Sequence, residues 1–138
     1  MRQYLLRCFG TTAETGNRAL VVEQHNFSPA QKQEFATTQN LPVCVFIDNN
    51  SATNFSVDFY YPHRQSPLCL HGSLAAAQMF FNFYPHLNQA VLLTAAGQRI
   101  KIQQHNSQIS LAVIPQVVLD KSFSHSEIAQ LLGINLTQ

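Results

Sequence analysis

Charged side chains are scarce in this sequence. Asp, Glu, Lys and Arg make up 11% of the 138 residues, where a quarter is usual, and they cancel to a formal net charge of +1. With no basic excess there is no counterion release to drive binding to a phosphate backbone, and the Lys and Arg residues are scattered, so nucleic acid is not an expected partner. A nearly neutral surface also does little to keep copies apart, which favours self-association over that of a highly charged domain. Gln and Asn carry the polar surface instead, interleaved with apolar positions rather than gathered into a low-complexity tract.

Long apolar runs are absent too. The stretch from Met1 to Arg7 is too short for a signal h-region, and nowhere do about eighteen apolar residues run together, so no membrane span is expected and a soluble, cytoplasmic protein is. Three cysteines, Cys8, Cys44 and Cys69, cannot all pair within one chain. None forms a Cys-x-x-Cys pair or a Cys/His cluster of zinc spacing, which predicts a reduced compartment and no metal site. Repeats and Pro/Gly-rich linkers are missing as well. What is present is a 46% apolar chain, read as one domain over residues 1–138, long enough to bury roughly two-thirds of its unfolded surface without staples.

Residues 3–9 and 19–24 are short, apolar and β-rich, with loop chemistry from Gly10 to Asn17 between them. Ser28, Pro29 and Gln31 mark a helix start, and Ala30 to Thr38 its body. Asn40 and Pro42 stop that helix, and Val43 to Ile47 reads as a buried strand turning at Asp48 to Ser51. Phe55, Val57, Phe59 and Tyr61 alternate with polar neighbours as a half-buried strand does, and 62–67 is a loop. From Gly72 an apolar run with helix propensity extends through Phe81, apolar nearly all round, so it belongs inside the domain. Three strands follow at hairpin spacing, 90–94, 99–103 and 109–113, and Ser124 with Glu127 predicts a capping box for a last helix over 126–132, closed by Gly133. The fold class is α+β: a single domain in which a mostly antiparallel sheet wraps the buried apolar helix.

Chemistry concentrates at Leu68-Cys69-Leu70-His71-Gly72-Ser73. Here a cysteine, a histidine and a glycine stand just before the buried helix, whose unpaired first-turn N–H groups and positive dipole end bind carboxylates and favour thiolate. Gly72 would let a ligand approach the backbone, and Ser73 would add a hydroxyl donor. Cys69 could then abstract a proton α to a carbonyl while the helix end stabilises the enolate-like charge. A free cysteine ahead of a helix is also a common packing residue, and His71 a common structural histidine. Cys8 and Cys44 fall in predicted strands and read as core. Asp58, on the predicted polar face of its strand, and Arg64 read as solvated charges, as do Glu14 and Asp120. His25, His86, His105 and His125 lie at turns or ends, without metal spacing.

The order of these pieces resembles the first domain of the PhzF-type (phenazine-biosynthesis-like) family, within the diaminopimelate epimerase and proline racemase superfamily. The opening strand ends in Phe9, Gly16-Asn17 precedes Ala19-Leu20-Val21-Val22, and a helix leads into Asn40-Leu41 and Phe46. An alternating strand then leads to Pro67-Leu68-Cys69-Leu70-His71-Gly72-Ser73. The resemblance covers about residues 2–136. Where PhzF-type proteins carry Ala-Gly-His-Pro-Thr, proline racemases carry Cys-Gly-His-Gly-Thr or Ser. Cys69 falls on the racemase catalytic thiol, His71 on the family histidine, Gly72 on the glycine and Ser73 on the hydroxyl position, while Leu70 replaces a glycine. Asn17 lies in a loop that the family uses near its cleft. Val43 stands where PhzF-type isomerases have their acid/base glutamate, so that mechanism does not carry over.

The resemblance implies an isomerase of the epimerase or racemase type, working without cofactor on a small amino-acid-like or hydroxy-acid substrate. It implies equally a non-catalytic member that binds a small acid or a protein. Family members have two such domains with the active site between them, so a second copy, forming a homodimer, is expected to supply the other face, the alternative being a separately encoded second half.

Overall fold

The computed structural model describes residues 1–113 and 124–127. In chain order the elements are β1 (Arg2–Cys8), β2 (Asn17–Glu23), α1 (Pro29–Gln39), β3 (Val43–Asn50), β4 (Phe55–Tyr60), β5 (Gln65–Ser66), α2 (Leu70–Phe83), β6 (Gln89–Thr94), β7 (Arg99–His105) and β8 (Gln108–Ala112). Strand existence and order match the sequence expectation; two details differ. β3 does not turn at Asp48 but continues through Asn50 across a register shift between Ile47 and Asn49, where the pairing with β4 admits one extra residue. The loop after β4 also carries the two-residue strand β5, paired with Phe59 and Tyr60.

The sheet runs β1-β2-β3-β4-β6-β7-β8, with β5 off the path beside β4. Neighbours are antiparallel except β2/β3 and β4/β6, and each parallel pair is bridged by a helix, α1 in the first case and α2 in the second. β2 and β4 run in opposite directions, whereas both crossovers step the same way along the sheet. The right-handedness of such crossovers then requires the helices to lie on opposite faces.

Strand alternation supplies a core for each. Ala19, Val21, Val43, Val45, Ile47, Phe55, Val57 and Phe59 face α2, while Leu20, Val22, Cys44, Phe46 and Tyr60 face the opposite way, with Ala36 of α1. Cys8 and Cys44 are both buried, on opposite faces.

α1 begins as its sequence dictates. Ser28 accepts from the Gln31 amide at 3.3 Å, the Gln31 side chain accepts from the Ser28 amide at 2.9 Å, and Pro29 opens the helix. Asn40 ends it in left-handed backbone at φ 50°, its N–H donating to the Ala36 carbonyl at 3.1 Å.

α2 fills the concave side of the sheet, touching β1 to β4 and, from the other edge, β8. Its three alanines, Ala75 to Ala77, are fully buried, and Phe80 meets Phe55 edge-on with ring centroids 5.2 Å apart. Small residues on the first turns let strands approach, and aromatics further on fill the wider space. The β7–β8 hairpin turns on Asn106 and Ser107, both at positive φ as a two-residue turn of matching twist demands. Ser124 and Glu127 form the expected capping box at the start of the last helix, whose remainder and Gly133 lie outside the described residues. No helix among the described residues is long and apolar enough to cross a membrane.

Candidate functional site

β5 carries the chain from β4 to the mouth of α2. Cys69 is the N-cap of that helix, with extended backbone, and Leu70, His71 and Gly72 are its first three residues. The helix thus starts two residues before Gly72. Neither Leu70 nor His71 opposes helical backbone, and the glycine, about 1 kcal/mol unfavourable inside a helix, is accommodated because the sheet requires a small residue there. A Cβ on Gly72 would stand 3.0 Å from the Phe59 ring and 3.2 Å from Val45. The space left by the missing side chain is therefore occupied by β3 and β4, and what Gly72 can offer a ligand is its amide.

The Ser73 amide donates to the Cys69 carbonyl at 2.8 Å, closing the first helical bond. The amides of Leu70, His71 and Gly72 have no protein acceptor among the described residues, the ordinary condition of a helix start with no side-chain cap. Ser73 itself is fully buried, and its hydroxyl has no partner among the described residues. Leu70 projects outward, 49% exposed.

Cys69 Sγ lies 3.4 Å from His71 Nδ1, and the thiol is 3% exposed. If the thiol donates to Nδ1, His71 carries its own hydrogen on Nε2, which is buried without a partner among the described residues. Burial holds the imidazole below its ordinary pKa, which keeps it a neutral acceptor. The Cys8 thiol donates to the His71 carbonyl at 3.3 Å, tying the end of β1 to the first turn of α2. Burial, reinforced by Cys69, pushes the Cys8 thiol up. Tyr61 packs against the same core, and burial raises its hydroxyl pKa.

Of the remaining expected residues, Asn17 opens β2 directly opposite Cys8. It is therefore at the same end of the domain, exposed and without a side-chain hydrogen bond among the described residues. Val43, at the start of β3, is fully buried in the core cluster that includes Cys69. The position that the resemblance gives to the family glutamate is thus apolar and buried.

Asp58 is not the solvated charge its strand pattern suggested. It is 5% exposed and holds Lys32 Nζ at 3.3 Å and Gln65 Nε2 at 2.8 Å. Lys32, itself buried, also reaches Asp48 at 2.6 Å and stands 5.7 Å over the Phe46 ring. The polar face of β4 is covered by α1 rather than by water, which alternation alone does not reveal. Lys32 is the polar residue that sequence spacing missed, because its partners are brought to it by the sheet.

This fold agrees with comparison to known proteins. The family model described as phenazine biosynthesis-like protein, PhzC-PhzF, matches residues 6–138. The chain belongs to this family. Among solved structures, the putative phenazine biosynthesis PhzC/PhzF protein of Clostridium difficile (strain 630) is similar over 96% of this chain and 51% of its own, with 23% identity and a TM-score of 0.72. A PhzF-family protein of Enterococcus faecalis is similar over 75% of this chain and 40% of its own, with 24% identity and a TM-score of 0.66. A predicted epimerase of Pseudomonas aeruginosa shares 16% identity over 78% of this chain and 40% of its own, with a TM-score of 0.64. The chain thus spans about half or less of the length of these solved structures. No curated protein matches the sequence.

Proposed function

We propose that this PhzC-PhzF chain supplies one face of a cofactor-independent epimerase- or racemase-type site, with Cys69 as the acid/base. The observation that carries the reading is Cys69 Sγ at 3.4 Å from His71 Nδ1, at the mouth of a helix whose first three amides have no acceptor among the described residues. The substrate is a small amino acid or hydroxy acid. Its carboxylate takes the amides of Leu70, His71 and Gly72, with Asn17 at the rim. Ser73 Oγ, buried and unpartnered, would join only if the first turn shifts. The Cys69 proton passes to His71 Nδ1, the thiolate removes the α-proton, and the amides hold the enolate-like charge until a proton returns to the α-carbon. Inversion needs a second acid/base on the opposite face, and a second copy of the chain in a homodimer would present its own Cys69 there.

Deuterium wash-in tests this. In D2O a panel of amino and hydroxy acids should include one that gains α-deuterium, and Cys69→Ser should abolish the gain. No incorporation across the panel would refute catalysis. A second reading, a non-catalytic member binding a small acid or a protein, is favoured by the 3% exposure of Cys69 and the burial of Val43 in the glutamate's place. It predicts that iodoacetamide labels Cys69 no faster than Cys8 at neutral pH.

A further inference from the structure

Outside the Cys69 site, one juxtaposition in the sheet has no partner to account for it. In the β1–β2 ladder Arg2 stands in register opposite Glu23, residues of opposite charge, but at the other end Arg7 stands directly opposite Arg18. Side chains directly opposite leave the sheet on the same face with Cβ atoms about 5 Å apart, and like charges so placed destabilise the pairing. The chain has only eight Lys and Arg residues, so crowding does not force two of them together.

No carboxylate relieves the pair among the described residues. The ion pairs there all converge on Asp48 and Asp58. Glu23, the one acid on β2, spends its oxygens on the Tyr4 hydroxyl at 3.2 Å and Asn50 Nδ2 at 2.8 Å. Both arginines are exposed. Leu6, Cys8 and Ala19 pack toward α2, so Arg7 and Arg18 leave on the other face, away from Cys69.

Phe9 lies at the same end of the hairpin. It holds left-handed backbone at φ 61° and is 68% exposed. A bulky residue in that region is a true outlier, and such strain gathers at ligand clamps.

We propose that Arg7 and Arg18 clamp the phosphate of a small phosphomonoester, with Phe9 against its organic group. Two guanidinium forks of summed charge +2 match a phosphate dianion, each giving paired N–H donors, whereas a monocarboxylate fills one fork only. The anion turns a repulsive cross-strand pair into a bridged one. The clamp stands independently of the Cys69 reading.

The test uses the intact chain at pH 7.5 and matched ionic strength, with phenyl phosphate, inorganic phosphate, acetate and chloride compared by calorimetry and by Tm. Saturable binding is expected for the phosphates, tightest for phenyl phosphate, and none for chloride. Arg7→Gln and Arg18→Gln should each weaken phosphate binding at least tenfold while leaving Tm in chloride unchanged or raised, since each removes a repulsion. Phe9→Ala should erase the preference for the phenyl ester. No saturable phosphate binding, equal affinity for acetate, or affinity unchanged in both arginine variants would overturn the proposal.

Discussion

Lys32→Met should cost this domain far more than the loss of a surface ion pair. The ammonium is 7% exposed as a side chain and is held at 2.6 Å from Asp48 and 3.3 Å from Asp58. Its two partners differ in what happens when it goes. Asp48 is 36% exposed and can take water in its place, whereas Asp58, 6% exposed, keeps only the 2.8 Å bond from Gln65. Removing one member of a buried pair costs about 3–5 kcal/mol, because an uncompensated charge remains in low dielectric.

For 138 residues the unfolding entropy is about 0.29 kcal/mol/K, so Tm should fall by about 10–17 °C. Urea unfolding followed by far-UV circular dichroism at pH 7 gives the energy directly. Adding Asp58→Asn to Lys32→Met should restore at least half of it, since the neutral amide keeps an acceptor for Gln65 and leaves no buried charge. A single-variant loss under about 1 kcal/mol, the range of exposed pairs, would refute the reasoning. So would a double variant whose loss is the sum of the two singles.

Gly72→Ala should destabilise by about 1–3 kcal/mol by overpacking, because the new Cβ meets the Phe59 ring at 3.0 Å; denaturant midpoints check it. His25, whose Nδ1 accepts from the Phe27 amide at 3.2 Å, has its pKa lowered chiefly by burial, as does His71. Their folded pKa values lie below the unfolded value near 6.5. The unfolded chain therefore binds protons first as pH falls, and stability should be level above that pH and decline below it. Tm measured from pH 8 to pH 5 should show this, with a shallower decline in His25→Gln. Cys44, fully buried and pushed by burial to a pKa of about 11, should resist iodoacetamide at neutral pH until the domain is unfolded, as peptide mass spectrometry of labelled protein will report.

Much of this architecture was legible in the residues. Alternation in 55–61, the Ser28-Pro29-Gln31 start and the all-round apolar run after Gly72 each report a local preference that the fold keeps. Local pattern was enough for the α+β class, the element order and the place of Cys69 at a helix mouth, because spacing, caps and turn residues act between near neighbours. The assembled sheet settled that Gly72 serves the packing of Phe59 and that Asp58 is buried under α1. It alone brought Cys8 to the His71 carbonyl and set Arg7 opposite Arg18. Those outcomes depend on strand register and on which face each crossover helix covers, and both are set by contacts between residues far apart in the chain.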